Sequence, residues 1–509
     1  MKRRILTLMM SAALIAGTQS TVWADVEDYS DGDVHTIGVV VYDPDSAEME
    51  MFADYYRDYI QEGFPVKFIF SGKIADSEEE KAFIEEAKAE GAEGIISFAG
   101  YADGLTNVIK TCEEEEIYYA LGSNTVSDEN YEVIKDNPWY MGSVGPDLET
   151  VYQAGCDMTE FFLDKDARNI VIMSGGASSG NRLHQVRTWG MLNTLEEKAG
   201  LVLDEDAEKL SATDKVTELT DKDGNLHVTI CPGYTEGGEG LDNLETAFAE
   251  GTCDTLMSAF HVSAYLDKIS DKEKDQDSNI MVGAIDSFSE QNFEIFKEKD
   301  SFGNAPIDYV RGKYASMAGP AFAMIYNAIT GTPDVVRENG EAVRLYQNLW
   351  TAKSEEEYVE LYGYATGIYE NAYSCDDLMQ VIGQFDVDAD PQGFKEFGFD
   401  CKLVTEACGR TIKATGTASF PYADKILTGW KEAGVKTLGD VEELDRRRQA
   451  SKRQDRREPG NGRGQETGRK PAGSNRFKNF EERTYNYEDY VWEDMRRRQQ
   501  KGGRMDGTE

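Results

Sequence analysis

The stretch MSGGASSGNRLHQVRTWGM, residues 173–191, concentrates groups that could do chemistry in one turn and one helix start. It follows the apolar run Asn169 to Met173, so a glycine-rich turn sits between a strand and a helix. A P-loop of the form G-x-x-x-x-G-K-[ST] places a lysine on the β/γ-phosphates and a hydroxyl on magnesium. Gly175 and Gly180 keep that spacing, but Asn181 and Arg182 stand where the lysine and hydroxyl belong. Glycines at 175, 176 and 180 also miss the G-x-G-x-x-G of dinucleotide sites. What remains is a polar run, Ser178, Ser179, Asn181, His184 and Arg187, offering hydroxyl, amide, imidazole and guanidinium groups. That mixture suits a polar, uncharged or weakly anionic small molecule better than a nucleotide. The same residues also describe a helix cap with a solvated face and His184 turned to water, and the local sequence leaves both readings open.

Other chemistry has little support. There is no H-E-x-x-H, and the four histidines do not pair at metal-ligand spacing. Seven cysteines are scattered along the chain without a C-x-x-C, which leaves zinc and thioredoxin-like sites unsupported. Cys401 and Cys408 could pair with each other or with Cys375, or all could be buried thiols. No metal and no cofactor is expected. Residues 1–445 carry 35 basic against 84 acidic residues, which argues strongly against nucleic-acid binding by the body of the chain, because phosphates are held by basic surface. It also argues against anionic membrane surfaces.

These groups need a frame. Apolar runs at TIGVVVYD (36–43), PVKFIF (65–70), EGIISFAG (93–100), IYYALGSN (117–124) and WYMGSVGPD (139–147) alternate with helical periodicity. Ser77 is the expected cap of the helix SEEEKAFIEEAKAEG and Gly91 its stop. The pattern then restarts with NIVIM (169–173), HVTIC (227–231), DTLMSAFH (254–261), NIMVGAIDSF (279–288) and IDYV (307–310). Near-continuous apolar strands between helices indicate parallel sheets covered on both faces. Two such units exceed one ordinary domain, so the expected fold class is α/β, with two doubly wound parallel-sheet lobes around a ligand cleft. Ligands in such sheets sit beyond the carboxyl ends of the strands.

The expected N-terminal lobe spans 35–143 plus 317–345, and the C-terminal lobe 144–316 plus 346–351. Three crossings are expected near 140–147, 308–317 and 345–351, with MAGPAFAMIYNAITG returning the chain to the first lobe. Residues 352–444 lose the strand pattern and read as a tyrosine-rich helical extension packed on one lobe. At the N-terminus, MKRRILTLMMSAALIAG reads as a secretory signal peptide cleaved after Ala24, without a lipobox cysteine. The mature protein is then extracytoplasmic. From 446 to 509 there are 18 Lys and Arg against 11 Asp and Glu, and DRRRQASKRQDRREPGNGRGQETGRKPAGSN (445–475) has almost no apolar residues, so 445–509 reads as a disordered basic tail. Its segment NRFKNFEERTYNYEDYVWED resembles the end of mobile-element replication proteins, consistent with a fusion or a shifted frame.

From about 35 to 350 the order of elements resembles the type I periplasmic binding proteins, the fold shared by ribose- and galactose-binding proteins and LacI-type regulators. Two motifs carry the likeness: IVIMSGGASSGNRLHQVRTWGM, with Arg187 and Gly190 in R-x-x-G, and IMVGAIDSF, similar to a V-G-x-D signature. The resemblance implies that Arg187 grips hydroxyls and that Asp286 is a ligand-binding aspartate. In TLMSAFHVSAYL, Phe260 and His261 stand where the family often has asparagine or aspartate. From the first lobe, strand ends offer Tyr42 and Asp43, Ser97 with Tyr101, and Ser123 with Asn124; Asp43 and Asn124 read equally well as helix caps. Asn181 and Ser179 add amide and hydroxyl partners. Tyr42, Phe260 or Trp189 could lie against the apolar face of a ring, although Trp189 reads first as core.

The function implied is a monomeric solute-binding protein, not an enzyme, that delivers a sugar-like ligand to an ABC permease. The alternative is a sensor partner of a membrane receptor or kinase, with an enzyme third. Loss of Arg187 is expected to spare the fold, because an empty cleft is filled with solvent.

Overall fold

Strand β1 (His35–Val41) is apolar at almost every position and nearly wholly buried, as a central parallel strand must be. It lies between β2 (Val66–Lys73) and β3 (Gly94–Ser97), and β4 (Tyr118–Leu121) and β5 (Tyr140–Gly145) extend the sheet on the β3 side, all parallel. The second sheet repeats the pattern. There β6 (Asn169–Met173) lies between β8 (His227–Cys231) and β9 (Thr255–Ser258), followed by β10 (Met281–Ser287) and β11 (Tyr309–Lys313), again parallel. Each sheet therefore has the 2-1-3-4-5 order of doubly wound folds, with helices between successive strands. The computed structural model describes residues 34–100, 104–234, 238–366 and 373–396. All of them fall within one compact unit, Ser30–Val441. The expected signal peptide, the basic tail, Tyr101, Cys401 and Cys408 lie outside the described residues. Among the described residues no helix is long and apolar enough to cross a membrane.

The edges depart from an all-parallel pattern. β7 (Thr217–Thr220) pairs antiparallel with β8, β12 (Arg337–Glu338) with β13 (Glu341–Tyr346), and β14 (Trp350–Ala352) with β11. β13 itself adds to β5 in parallel. Three crossings join the sheets: between β5 and the helix Leu148–Leu163, between β11 and the helix Gly319–Ile329, and between β13 and β14. Gly319–Ile329 is apolar around its whole circumference because it is buried on all sides, against β3, β4 and β5 of the first sheet.

Two local expectations change. Asp76, not Ser77, caps the helix Ser77–Ala89, its carboxylate accepting from the Glu78 and Glu79 amides. The described part of the C-terminal extension packs on both lobes, not one. Its helix Glu355–Ala365 lies on the second lobe, where the Tyr358 ring stacks on Phe288 and Phe296 at 4.9 and 4.4 Å and its hydroxyl donates to the Ser287 and Ser289 carbonyls. The helix Cys375–Met379 instead follows Tyr373, whose carbonyl accepts from Tyr55 in the first lobe, and the Cys375 amide donates to Tyr59. Tyr358→Ala is expected to destabilise the fold by about 3–5 kcal/mol, as for other fully buried aromatics, read as a fall in the urea midpoint. Cys112, Cys156, Cys231, Cys253 and Cys375 are buried free thiols.

Candidate functional site

Between the two sheets, beyond the carboxyl ends of their strands, lies a cleft of about 620 Å³. The glycine turn forms part of its wall. Gly175, Gly176 and Gly180 all have φ near +70°, a region comfortable only for glycine. Asn181 caps the helix Arg182–Ala199 by accepting from the Leu183 and His184 amides, so the cap residue itself satisfies the helix start. The turn also spells G-A-S-S-G, the G-x-S-x-G pattern of a hydrolase nucleophile elbow. Ser178 lies five residues beyond the end of β6, is exposed, and uses its amide on Asp214, with no histidine bonded to its hydroxyl. An elbow needs its serine at the sharp strand-to-helix turn with a histidine in reach, and neither condition is met.

His184 is buried, not solvent-facing. The helix is buried over most of its circumference, and residues 184, 187, 188 and 191 share one of its buried faces, which carries His184 into the cleft wall. Its ring stacks on Tyr234 and tilts against Phe260, with centroids 5.5 and 4.9 Å apart. Burial, and then the nearby Arg187 charge, hold its pKa well below the usual histidine value, so the ring is neutral at pH 7.

Arg187, one turn further along, donates from Nη1 to the Ala259 and Ile285 carbonyls at 2.6 and 3.2 Å. Its Nε is buried without a partner. Burial pulls its pKa down while Glu48 and Asp286 push it up, and a guanidinium remains charged throughout. Asp286, at the end of β10, accepts from Asn292 Nδ2 at 2.6 Å, and the Ser287 hydroxyl lies 3.5 Å from its other oxygen. Burial raises its pKa, opposed by His261, the Asn292 hydrogen bond and Arg187. Phe260 is almost fully buried behind Tyr234, and His261 meets Tyr234 Oη through Nε2 and Ser263 Oγ through Nδ1 at 3.1 and 3.2 Å.

The first lobe supplies Tyr42 after β1, Phe98 after β3 and Asn124 after β4. Asn124 donates to the Phe98 carbonyl at 3.0 Å, which fixes the amide at the cleft. Three expected residues lie elsewhere. Asp43 turns to Lys73 at 2.7 Å and to the Asp45 amide, forming an exposed ion pair and turn. Ser97 is fully buried on the Glu80 and Tyr119 side of the sheet. Ser123 is buried at φ 58°, behind Asn124. Along β3 successive side chains alternate direction, so Phe98 lines the cleft and Ser97 does not. Ser123 instead lies past the end of β4 in left-handed backbone that no strand alternation governs. Trp189 packs edge-on against Tyr152, away from the cleft.

Sequence reasoning missed Glu48, Tyr234 and Lys313. Glu48 sits in the first turn of the helix Ala47–Asp54 and Lys313 at the end of β11, and their side chains meet across the lobes at 2.9 Å. The strand-end rule would have offered Lys313 had β11 been extended beyond IDYV. Nothing local marks Glu48 among so many acids.

Asp286→Asn separates stability from binding. A carboxyl whose folded pKa is raised ionises first in the unfolded chain, so stability is lost as pH rises between the two values and stays lower above both. The variant is therefore expected to melt at or above the wild-type temperature at pH 7, with the difference vanishing below about pH 4. Ligand binding should weaken about tenfold or more, as calorimetry would read.

With this geometry in view, comparison with solved structures finds chains of similar architecture. One is an ABC transporter solute-binding protein from Bacillus halodurans C-125 with bound myo-inositol, 18% identical, TM-score 0.45, covering 66% of this chain and 99% of that one. Another is the periplasmic binding protein component of the arabinose ABC transporter from Shewanella sp. ANA-3, bound to L-arabinofuranose, 13% identical, TM-score 0.46, covering 65% and 96%. A third is a carbohydrate transporter solute-binding protein from Chloroflexus aurantiacus in complex with D-glucose, 14% identical, TM-score 0.45, covering 66% and 98%. A family described as replication initiation and membrane attachment matches residues 392–445, a small part of the chain that falls almost wholly outside the described residues. No curated protein matches the chain. What the cleft can hold follows from its own residues.

Proposed function

We propose that the chain captures a sugar-like, hydroxyl-bearing small molecule between its two lobes and hands it to an ABC importer outside the cytoplasm. The observation that carries this reading is the convergence of Asp286 and Arg187 on one cleft wall, with Tyr42 and Asn124 lining the same cleft from the first lobe. A carboxylate takes hydroxyl protons and a guanidinium donates in a fixed fork, the complementary pair that a polyol needs. His184, Tyr234 and Phe260 form an aromatic wall suited to the apolar face of a ring. The protein acts by binding and release, not by catalysis, and Arg187, Asp286, His261, Asn124, Tyr42 and Ser179 are its contacts.

A thermal-shift screen of pentoses, hexoses, cyclitols and nucleosides tests this. A rise in melting temperature with a member of the first three classes, and dissociation constants in the micromolar range or below, is the expected result. No response to any of them, or a response to nucleosides alone, overturns the reading.

A further inference from the structure

The cleft holds four charged side chains at its centre. Arg187 and Lys313 are cationic, Glu48 and Asp286 anionic; Arg187 lies within the field of both carboxylates, and Lys313 is ion-paired to Glu48. Lys313 and Glu48 are among the least exposed ion-pairing groups of the described residues, with side-chain exposures of 8% and 18%. The pair spans the cleft, Glu48 from the first lobe and Lys313 from the second, and Tyr42 Oη lies 3.4 Å from the same Glu48 oxygen. Charges at the rim do not alter this balance, because Asp45 is exposed and Arg182 is bound to Glu208 at 2.5 Å.

We infer that Glu48 is a specificity-determining residue: its carboxylate occupies Lys313 in place of a ligand carboxylate, and so restricts the cleft to uncharged ligands. This rests on the sugar-like reading above and adds to it the exclusion of acidic sugars. The physical ground is charge pairing. A buried charge is tolerated only when it is balanced. Two cations already face two carboxylates, so an anionic ligand would enter beside two like charges and leave one negative charge without a counterpart. Removing the Glu48 charge reverses that arithmetic. Lys313 is then a compact ammonium with free donors and no counter-charge, which a ligand carboxylate can satisfy.

The test uses the full chain and titrates D-glucuronate and D-galacturonate against D-glucose and D-galactose, by thermal shift and calorimetry, in wild type, Glu48→Gln, Glu48→Ser and Glu48→Gln/Lys313→Met. Wild type is expected to bind each uronate at least about a hundredfold more weakly than its neutral counterpart. A folded Glu48 variant is expected to bind at least one uronate about tenfold or more tighter than wild type does, and the double variant to lose that gain. Unliganded melting curves confirm which variants fold. Wild type binding a uronate as well as the neutral sugar overturns the inference without any substitution. So does a folded Glu48 variant that gains nothing, or a gain that survives loss of Lys313. If wild type binds none of the four, a uronate gain in Glu48→Gln still decides the role of Glu48, and the sugar-like reading stands or falls separately on the pentose, hexose and cyclitol screen.

Discussion

Arg187→Ala is expected to lower ligand affinity by at least tenfold and, in the same variant, to cost about 1–3 kcal/mol of folding stability. The binding loss follows from removing a guanidinium from the cleft lining, so that a ligand oxygen bound to it goes unsatisfied. The stability loss is a correction to what the sequence implied. Arg187 does not hang into solvent from an empty cleft; its Nη1 ties the carbonyls of Ala259 and Ile285, the ends of two adjacent strands of the second sheet. Without it those two acceptors lose their donor at a site where water enters only partly. Arg187→Lys sharpens the test. An ammonium can reach one carbonyl but cannot present a fork, so it should recover part of the stability and little of the affinity. Urea unfolding and calorimetry on the same preparations read the two effects separately. Affinity within twofold of wild type for a folded Arg187→Ala would remove this residue from the site.

The two sheets were legible because their inner strands, such as TIGVVV and NIVIM, are continuous apolar runs that only a doubly covered parallel sheet buries. The edge strands were not. TELT and EAVRLY mix charged and apolar residues, because one side of each faces solvent. Arg187 and Asp286 are singled out by the family resemblance that their local motifs carry, Arg187 on the helix after a strand and Asp286 at the end of one. His184 could not be placed until the buried face of its helix was known. Glu48 and Lys313 are 265 residues apart and acquire meaning only when two lobes bring them together, a relation that no local pattern encodes. The serine pair at 97 and 123 shows the converse failure. Ser97 can take either of two directions on its strand, and choosing between them requires the register, while Ser123 follows its strand in a left-handed turn that the strand pattern does not describe.

Gly190→Ala is expected to be among the most damaging single-methyl changes in the second lobe. The helices Leu148–Leu163 and Arg182–Ala199 pack backbone to backbone through two glycines. A Cβ on Gly190 would fall far inside the contact limit of 3.0 Å to the Tyr152 carbonyl oxygen, and one on Gly155 would do the same to the Arg187 carbonyl oxygen. Both obstacles are backbone, so no rotamer change relieves them and the helices must separate. Overpacking of this kind costs about 1–3 kcal/mol when side chains can adjust, and the rigid case belongs at or above the upper end. Alanine's better helix propensity returns at most about 1 kcal/mol. The displacement also moves function, because Arg187 lies one turn before Gly190 on the same helix and its carbonyl is the atom that touches Gly155. The variant should therefore lose both urea resistance, by about 3 kcal/mol, and ligand affinity, although residue 190 does not line the cleft. Gly251→Ala supplies the control: an added Cβ there meets nothing within 4 Å at an ordinary φ, and stability should change by less than about 0.5 kcal/mol. If Gly190→Ala unfolds at the same urea concentration as Gly251→Ala, the close helix contact is not what sets the position of Arg187.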